Sequence, residues 1–528
     1  MLKTLRLVLS PQQAGTESLL KEAAASASGL SQERIHTLLI RKRSIDARSK
    51  QVKVLLEVDV YSGKDEADFS PFALKLQQVE HAVPVLIIGS GPAGLFGALR
   101  LIELGFKPII LERGKDVSAR KRDIASLSRN LGLDPESNYC YGEGGAGTFS
   151  DGKLYTRSNK RGDIQRILRI FHAFGAPSEI IFDAHPHIGT NILPRVIRNI
   201  REQIIACGGE VHFDHCVQNI RTNVTGVELL CTNNTIWEAP ALLLASGHSA
   251  QNIYEIFSQN EWLLEPKGFA MGVRAEHPQK LIDQIQYHQP IRDPFLPAAS
   301  YSVVSQIAGR GVYSFCMCPG GYIVNASTQA QQCVVNGMSS SSRHTPYANS
   351  GIVVQILPED IPSQFQQQGV LGGLFYQRHL EHMAYAAVEQ VMGQDNTHQQ
   401  APAQRMQDFI RNRKSTSLPE SSYLQGLVSS ELNLWLPQGI KSRLQQGFQS
   451  FDQKMKGYLS PEALIVGVES RSSSPIRIPR DKMTFQHPQH ACIFPCGEGA
   501  GYAGGITSSA MDGEACADQI SNYLKSKV

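Results

Sequence analysis

The sequence predicts an α/β protein: a parallel sheet with an α+β segment inserted into it and a small α+β unit ahead of it. Three observations carry the prediction. At 528 residues the chain is long enough for two or three units that share interfaces. Residues 1–80 alternate short strands with a helix, a small α+β pattern. From Val83 the pattern changes to apolar strand, glycine turn, apolar helix and strand.

In chain order, Leu2–Leu9 reads as a strand, Glu17–Ser28 as a helix, and Ile35–Arg41 and Val52–Tyr61 as two further strands. Basic residues cluster around that last turn (Arg41, Lys42, Arg43, Arg48, Lys50, Lys53), but Asp46, Glu57 and Asp59 dilute their field and no aromatic residues interleave. A solvated hairpin is therefore expected, with nucleic acid the weaker reading. Val83–Leu99 carries no charge and approaches the length of a membrane helix. Its density of glycine and proline instead fits a buried strand turning into a helix.

That turn is the first chemical motif. Val85–Ile88 is a buried parallel strand, Gly89-Ser90-Gly91-Pro92-Ala93-Gly94 the turn, Leu95–Leu104 the helix, and Pro108–Leu111 the next strand, ending in Glu112 and Arg113. Gly89 permits the tight exit, Gly91 admits a pyrophosphate to the backbone, and Gly94 lets helix and sheet pack closely. The helix N-terminus faces the negative charge, and Glu112 is placed to accept from ribose hydroxyls. This is the dinucleotide fingerprint of a Rossmann-type sheet. It does not choose between NAD and FAD. No second fingerprint follows, since Gly309-Arg310-Gly311 lacks a third glycine and Ala245-Ser246-Gly247 has no G-x-G, so one dinucleotide site is expected.

Composition names no partner: 41% hydrophobic, 19% charged and a formal charge of +3 describe neither a polyanion binder nor a membrane protein. Ten cysteines without framework spacing fit a reducing cytoplasm. The N-terminus alternates apolar residues with Lys3 and Arg6, and so reads as a strand and not a signal peptide.

Further along, Glu210–Phe213, then His215-Cys216-Val217, then Leu242–Gly247, and finally Cys492–Pro495 leading into CGEGAGYAGGIT, together resemble the FAD-binding half of the glutathione-reductase-like flavoproteins. More closely, the chain resembles the FAD-dependent dehydrogenase-like proteins, through YGEGGAGTFSDGKL, SFCMCPGGYIVNAS, VGVESRSSSPIRI and PCGEGAGYAGGITSSAMDG. The resemblance implies FAD as cofactor and a site built in part from Val217, Ala245, Gly247, Gly497, Glu498, Gly504, Gly505 and Ile506. Glu498 stands where the superfamily usually has Asp. The loop after the first βαβ unit is expected to run past the pyrophosphate toward the isoalloxazine through Gly144, Gly145, Ala146, Gly147 and Thr148, where amides reach a ligand only if no Cβ intervenes. Ser150, Asp151 and Lys153 would then bring a hydroxyl, a carboxylate and a cation to the ring, the cation stabilising reduced flavin. Residues 81–250 and 481–528 would form the FAD domain and residues 251–480 the substrate portion.

Other reactive elements carry two readings each. Cys316 and Cys318 are either a redox pair or two small buried residues before a glycine turn. Cys492 and Cys496 do not extend them to a usual metal spacing, so no metal is expected. Glu469, Arg471 and Arg477 offer either a substrate anion site or internal ion pairs. His185 and His187 would share a face on a strand. Gln364–Gln368 and Thr397–Gln407 read as loop or weakly ordered surface. The expected function is a cytoplasmic FAD-dependent oxidoreductase that takes a hydride from a small organic substrate or from a transiently docking NAD(P)H. A tRNA-associated flavoprotein and a flavin redox sensor are the alternatives.

Overall fold

A computed structural model describes residues 2–62, 72–156, 162–393 and 399–527. The protein is mixed α/β and contains the expected parallel sheet. Five strands lie in the order Ile493–Pro495, Leu242–Leu244, Pro84–Ile88, Lys107–Leu111, Glu210–His212, every neighbouring pair parallel. Side chains of the central strand alternate between two cores. Val85 and Ile87 join one cluster with Phe96, Ile197 and Ala510, whereas Leu86 and Ile88 join another with Val217, Leu229 and Tyr254. Burial on both faces explains why these strands are continuous apolar runs.

On the first face the Pro92–Glu103 helix packs against Ile506–Lys525. Close approach is set by glycines: a Cβ on Gly513 would stand 2.1 Å from the Ala93 carbonyl oxygen, and one on Gly94 2.0 Å from that of Gly89. The helix begins at Pro92 and not at Leu95, because proline is favoured in a first turn where its missing N–H costs nothing. The second face carries a three-stranded antiparallel sheet, Val217–Thr222, Val227–Cys231 and Ile236–Ala239, together with the Gln251–Gln259 helix.

A seven-stranded sheet follows, ordered Val304–Ile307, Arg310–Cys318, Tyr347–Ile356, Phe269–Pro278, Leu464–Glu469, Ala401–Arg405, Leu427–Ser429. The Gln438–Lys454 and Gly372–Met392 helices pack against it around a core that includes Met271, Val354, Leu380 and Phe448. Here the glutamine-rich expectation fails. Residues 394–398 lie outside the described residues, but Ala401–Arg405 is a buried strand and Met406–Ile410 a helix. Gln404 is fully buried because its amide donates to the Arg413 carbonyl (2.8 Å) and to the Asn433 side chain (2.6 Å). An amide whose NH2 group finds two acceptors can sit in a core as well as on a surface. Ser363–Gln366, within the other glutamine tract, is a short helix.

Near the N-terminus Leu2–Leu9, Lys53–Ser62 and Ile35–Asp46 form an antiparallel sheet, against which Glu17–Ser28 packs. Its second strand runs five residues beyond the expected Arg41, because Lys42 to Asp46 continue the antiparallel ladder with Lys53 to Glu57; beside it Arg43 bonds Asp183 through two contacts (2.6 and 2.9 Å) and its backbone N–H donates to the Phe182 carbonyl.

The Val117–Ser128 helix holds the least ordinary core residue. Asp116 caps it by accepting from the Ser118 and Ala119 N–H groups, and Val117, Arg120, Ile124 and Leu127 form its buried stripe. Arg120 is 0% exposed and donates to five backbone carbonyls: Asn138 (2.8 Å), Tyr139 (3.0 Å), Gly142 (3.1 Å), Glu143 (2.8 Å) and Gly145 (2.9 Å). Burial pulls its pKa down to about 10, which leaves it a cation at neutral pH. Each buried acceptor left unpaired costs about 1–3 kcal/mol. Arg120→Met should therefore lower stability in urea unfolding by at least ~3 kcal/mol. A loss below about 1 kcal/mol would mean that these bonds do not hold the loop.

Candidate functional site

Strand ends and loops enclose a cavity of about 370 Å³ at the C-terminal edge of the parallel sheet, where ligands of open α/β sheets bind. Its first wall is the fingerprint turn. Gly89, Gly91, Pro92 and Ala93 line it. Gly89 has φ +97°, which a side chain would resist, and a Cβ there would meet the Ala245 carbonyl oxygen at 2.6 Å.

The loop from Tyr141 onward forms the second wall and lies directly on the first. The Gly144 N–H donates to the Ser90 carbonyl (2.9 Å), and a Cβ on Gly145 would reach the Gly91 Cα at 3.1 Å. Gly145, Ala146, Gly147, Ser150 and Lys153 line the cavity. The third wall comes from the far end of the chain: Gly497, Glu498, Gly504, Gly505 and Ile506. It meets the second where a Cβ on Gly147 would touch the Ile506 side chain at 2.9 Å. Ala245, Gly247 and Val217 complete the enclosure, with Arg113 and Glu112 at the end of their strand.

Four expected site residues do not line the cavity. Ser90 is buried behind it, its hydroxyl and N–H both donating to Glu112 (2.8 and 2.9 Å). Gly94 serves the helix–strand contact. Gly144 supplies a left-handed turn at φ +80°, and the Thr148 hydroxyl donates to the Glu143 carbonyl (3.0 Å). These residues shape the walls from behind.

Glu112 differs from its simple reading as a ribose acceptor. Its second oxygen accepts from the Gly114 and Gly142 N–H groups, both at 3.0 Å, so the carboxylate ties the first wall to the second. The Ser150 hydroxyl likewise serves its own loop, donating to the Gly147 carbonyl (2.7 Å). Asp151 faces Lys153 (3.2 Å) and Arg343 (2.5 and 3.0 Å). Burial alone would raise its pKa, but those two cations outweigh burial and hold it below the carboxylate range. Lys153 donates to the Met317 carbonyl; burial opposes its charge, yet Cys318, Asp151 and Cys316 keep its pKa above the usual value.

Several residues enter the site without sequence warning. The Tyr141 hydroxyl donates to the Ser249 carbonyl (2.5 Å), and the Arg113 guanidinium, paired to Glu136 at 2.8 and 2.9 Å, covers its ring at 3.9 Å. Phe315, Asn336 and His248 also line the cavity. Arg120 was legible in principle, since the spacing of Val117, Arg120, Ile124 and Leu127 puts a charge in the middle of an apolar stripe.

Of the paired readings, internal ion pairs account for two. Glu469 bonds Arg274 (2.8 Å) and Arg471 bonds Glu381 (2.9 Å), all four residues buried. Arg471 nevertheless borders the cavity. Arg477 lies 3.8 Å from Glu265. His185 and His187 are not on a common strand: His185 packs on Tyr155, and His187 contacts the Ser341 carbonyl at 3.2 Å. Cys496 groups with Asp512 and Cys516 instead of with Cys492, and the Arg480 guanidinium reaches Asp512 (3.0 Å) and Cys516 (3.2 Å), a protein cation where a metal would stand. Among the described residues no helix is long and apolar enough to cross a membrane.

The donor set fits a dinucleotide. A Cβ added at Gly247, Gly504 or Gly505 would meet no heavy atom within 4 Å, so each glycine leaves open the space that a side chain would fill. Two helices, Pro92–Glu103 and Ile506–Lys525, start at cavity residues and turn their positive ends toward it.

Residues 268–472 match the family described as "FAD-dependent protein, C-terminal domain-like", and residues 1–61 match a domain of unknown function (DUF8436). An uncharacterized protein of Clostridium beijerinckii is 39% identical over 523 residues, covering 95% of this chain and 96% of its own length. Among solved structures, a flavoprotein/dehydrogenase from Cytophaga hutchinsonii aligns with 84% of this chain and 79% of its own at 13% identity and TM-score 0.32. The tetracycline destructase Tet(55) aligns with 84% and 86% at 10% identity and TM-score 0.35. Superpositions this loose carry no argument. The chain belongs to the family of the Clostridium beijerinckii protein, carries the FAD-dependent C-terminal domain, and has FAD as its cofactor.

Proposed function

We propose that this protein is an FAD-dependent oxidoreductase of the dehydrogenase kind. It holds FAD non-covalently along the C-terminal edge of the parallel sheet and acts on a small organic substrate, with NAD(P)H as a transient partner. One observation carries the reading: the turn at Gly89–Gly94, the loop at Gly142–Gly147 and the segment Gly497–Ile506, distant in sequence, wall one cavity. In this reading residues 81–250 and 481–528 form a glutathione-reductase-like FAD half, and residues 251–480 face the substrate.

Bound FAD supplies the two-electron redox chemistry. The chain's own groups do the holding. The helix N-termini at Gly91 and Gly505 would hold the anionic pyrophosphate, and Arg113, stacked on Tyr141, would hold the adenosine part. Lys153, paired with Asp151, would offer a cation to the negative charge that grows on a bound flavin when it is reduced. Phe315 and Asn336 flank that end, which we assign to the substrate.

Against the alternative of an RNA-associated protein, three cations of the N-terminal cluster, Arg41, Arg43 and Arg48, are paired with Asp59, Asp183 and Asp46. All ten cysteines are free, which favours a reducing compartment such as the cytoplasm.

The purified protein should release one FAD per chain on denaturation, and its visible flavin band should bleach anaerobically with NADH, NADPH or one member of a metabolite panel, with turnover. Absence of FAD would overturn the reading, and bleaching without turnover would favour the redox sensor. Lys153→Met should retain FAD but lower the flavin potential by about 30 mV, equivalent to ~1.4 kcal/mol for a two-electron couple. Unchanged FAD content together with unchanged potential would remove Lys153 from this role.

A further inference from the structure

We propose that Cys316 and Cys318 form a dithiol–disulfide couple that exchanges two electrons with the flavin of the same cavity, an inference that rests on FAD being bound there.

The backbone sets the pair apart from ordinary buried cysteines. Along the Arg310–Cys318 strand the pairing with Tyr347–Ile356 runs regularly to Phe315↔Gly351, then slips to Cys318↔Asn349. The extra residue makes a bulge, a device that re-aims side chains beside functional sites. Cys316 lies in it at φ +47°, a left-handed conformation that favours glycine or asparagine over a residue chosen only to fill space. The bulge brings Cys316 to the cavity wall, while Cys318 is buried directly behind it.

The surroundings suit a thiolate. The Cys318 thiol donates to the Cys316 carbonyl oxygen at 3.3 Å. The Arg274 guanidinium donates to that carbonyl (2.8 Å) and to the Cys318 sulfur (3.6 Å). Lys153 supplies a second cation, bonded to the carbonyl of the intervening Met317. Facing these cations, Glu469 pairs with Arg274 and Asp151 with Lys153 and Arg343, so the cluster is charge-balanced around the sulfurs. The hydrogen bond from Cys318, with Lys153 and Arg274, holds the Cys316 thiol below its ordinary range against burial, while the same hydrogen bond and burial push Cys318 up. The two sulfurs thus differ in the way a nucleophilic thiolate and a resolving thiol do. The other cavity thiols differ: Cys140 donates to the Ala326 carbonyl (3.6 Å), and burial pushes Cys216 up.

In the step, the Cys316 thiolate and the Cys318 thiol join through one S–S bond. The Cys318 proton leaves, and two electrons pass to oxidised flavin, which takes up both electrons and one proton. The reverse step reopens the disulfide.

The test uses the holoprotein. After diamide oxidation in the native state, free thiols are alkylated in denaturant and the chain is cut with trypsin. The peptide Gly311–Arg343 also contains Cys333. It should carry one label and be lighter by two hydrogens at the unlabelled pair, where the reduced sample carries three labels. In anaerobic reductive titration the oxidised protein should consume twice the reductant per FAD consumed by Cys318→Ser or by Cys316→Ser. Three labels after oxidation, or equal consumption by wild type and both variants, would overturn the proposal. The visible flavin absorbance of each sample reports separately whether FAD is present, and its absence would overturn the cofactor reading beneath the proposal.

Discussion

A single buried guanidinium organises the site. Arg120 has no carboxylate hydrogen-bonded to it; its donors go to five carbonyls of the chain between Asn138 and Gly145. A glycine-rich loop has little intrinsic preference for one path. Drawing its carbonyls inward to one cation fixes that path and frees its glycine faces to lie on the fingerprint turn. Glu112 completes the arrangement from the opposite sign of charge, accepting N–H groups from Ser90, Gly114 and Gly142. One cation collects carbonyls and one anion collects amides, and between them two loops distant in function become adjacent walls.

The other charged groups around the cavity follow the same logic of internal compensation. Glu469 with Arg274 and Arg471 with Glu381 are buried pairs, and breaking either would strand a charge away from water. Such pairs make a poor substrate clamp but a firm frame. Where the frame opens, at Lys153, Cys316, Phe315 and Asn336, the cavity presents a cation, a sulfur, a ring and an amide together.

Much of this was readable in the sequence because its causes are local. The Val85–Ile88 run, the spacing of Gly89, Gly91 and Gly94, and the helix at Glu17–Ser28 each follow from short-range sterics and periodicity. Long-range facts were less legible. Ala401–Arg405 looked like surface because glutamine is polar, and only the tertiary partners Arg413 and Asn433 make Gln404 a core residue. The role of Arg120 depends on carbonyls some twenty residues away, which no residue type announces. His185 and His187 shared a face only on the assumption of a strand. The glycines of the three walls, in contrast, were visible singly, and what the fold adds is that they meet.

That meeting is the central claim, and hydrogen–deuterium exchange of the FAD-free and FAD-loaded protein tests it most directly. FAD should protect amides in the segments around 89–94, 141–153 and 497–506 together. Protection confined to 89–94, with the other two segments exchanging as in the FAD-free protein, would contradict a single flavin site built from all three.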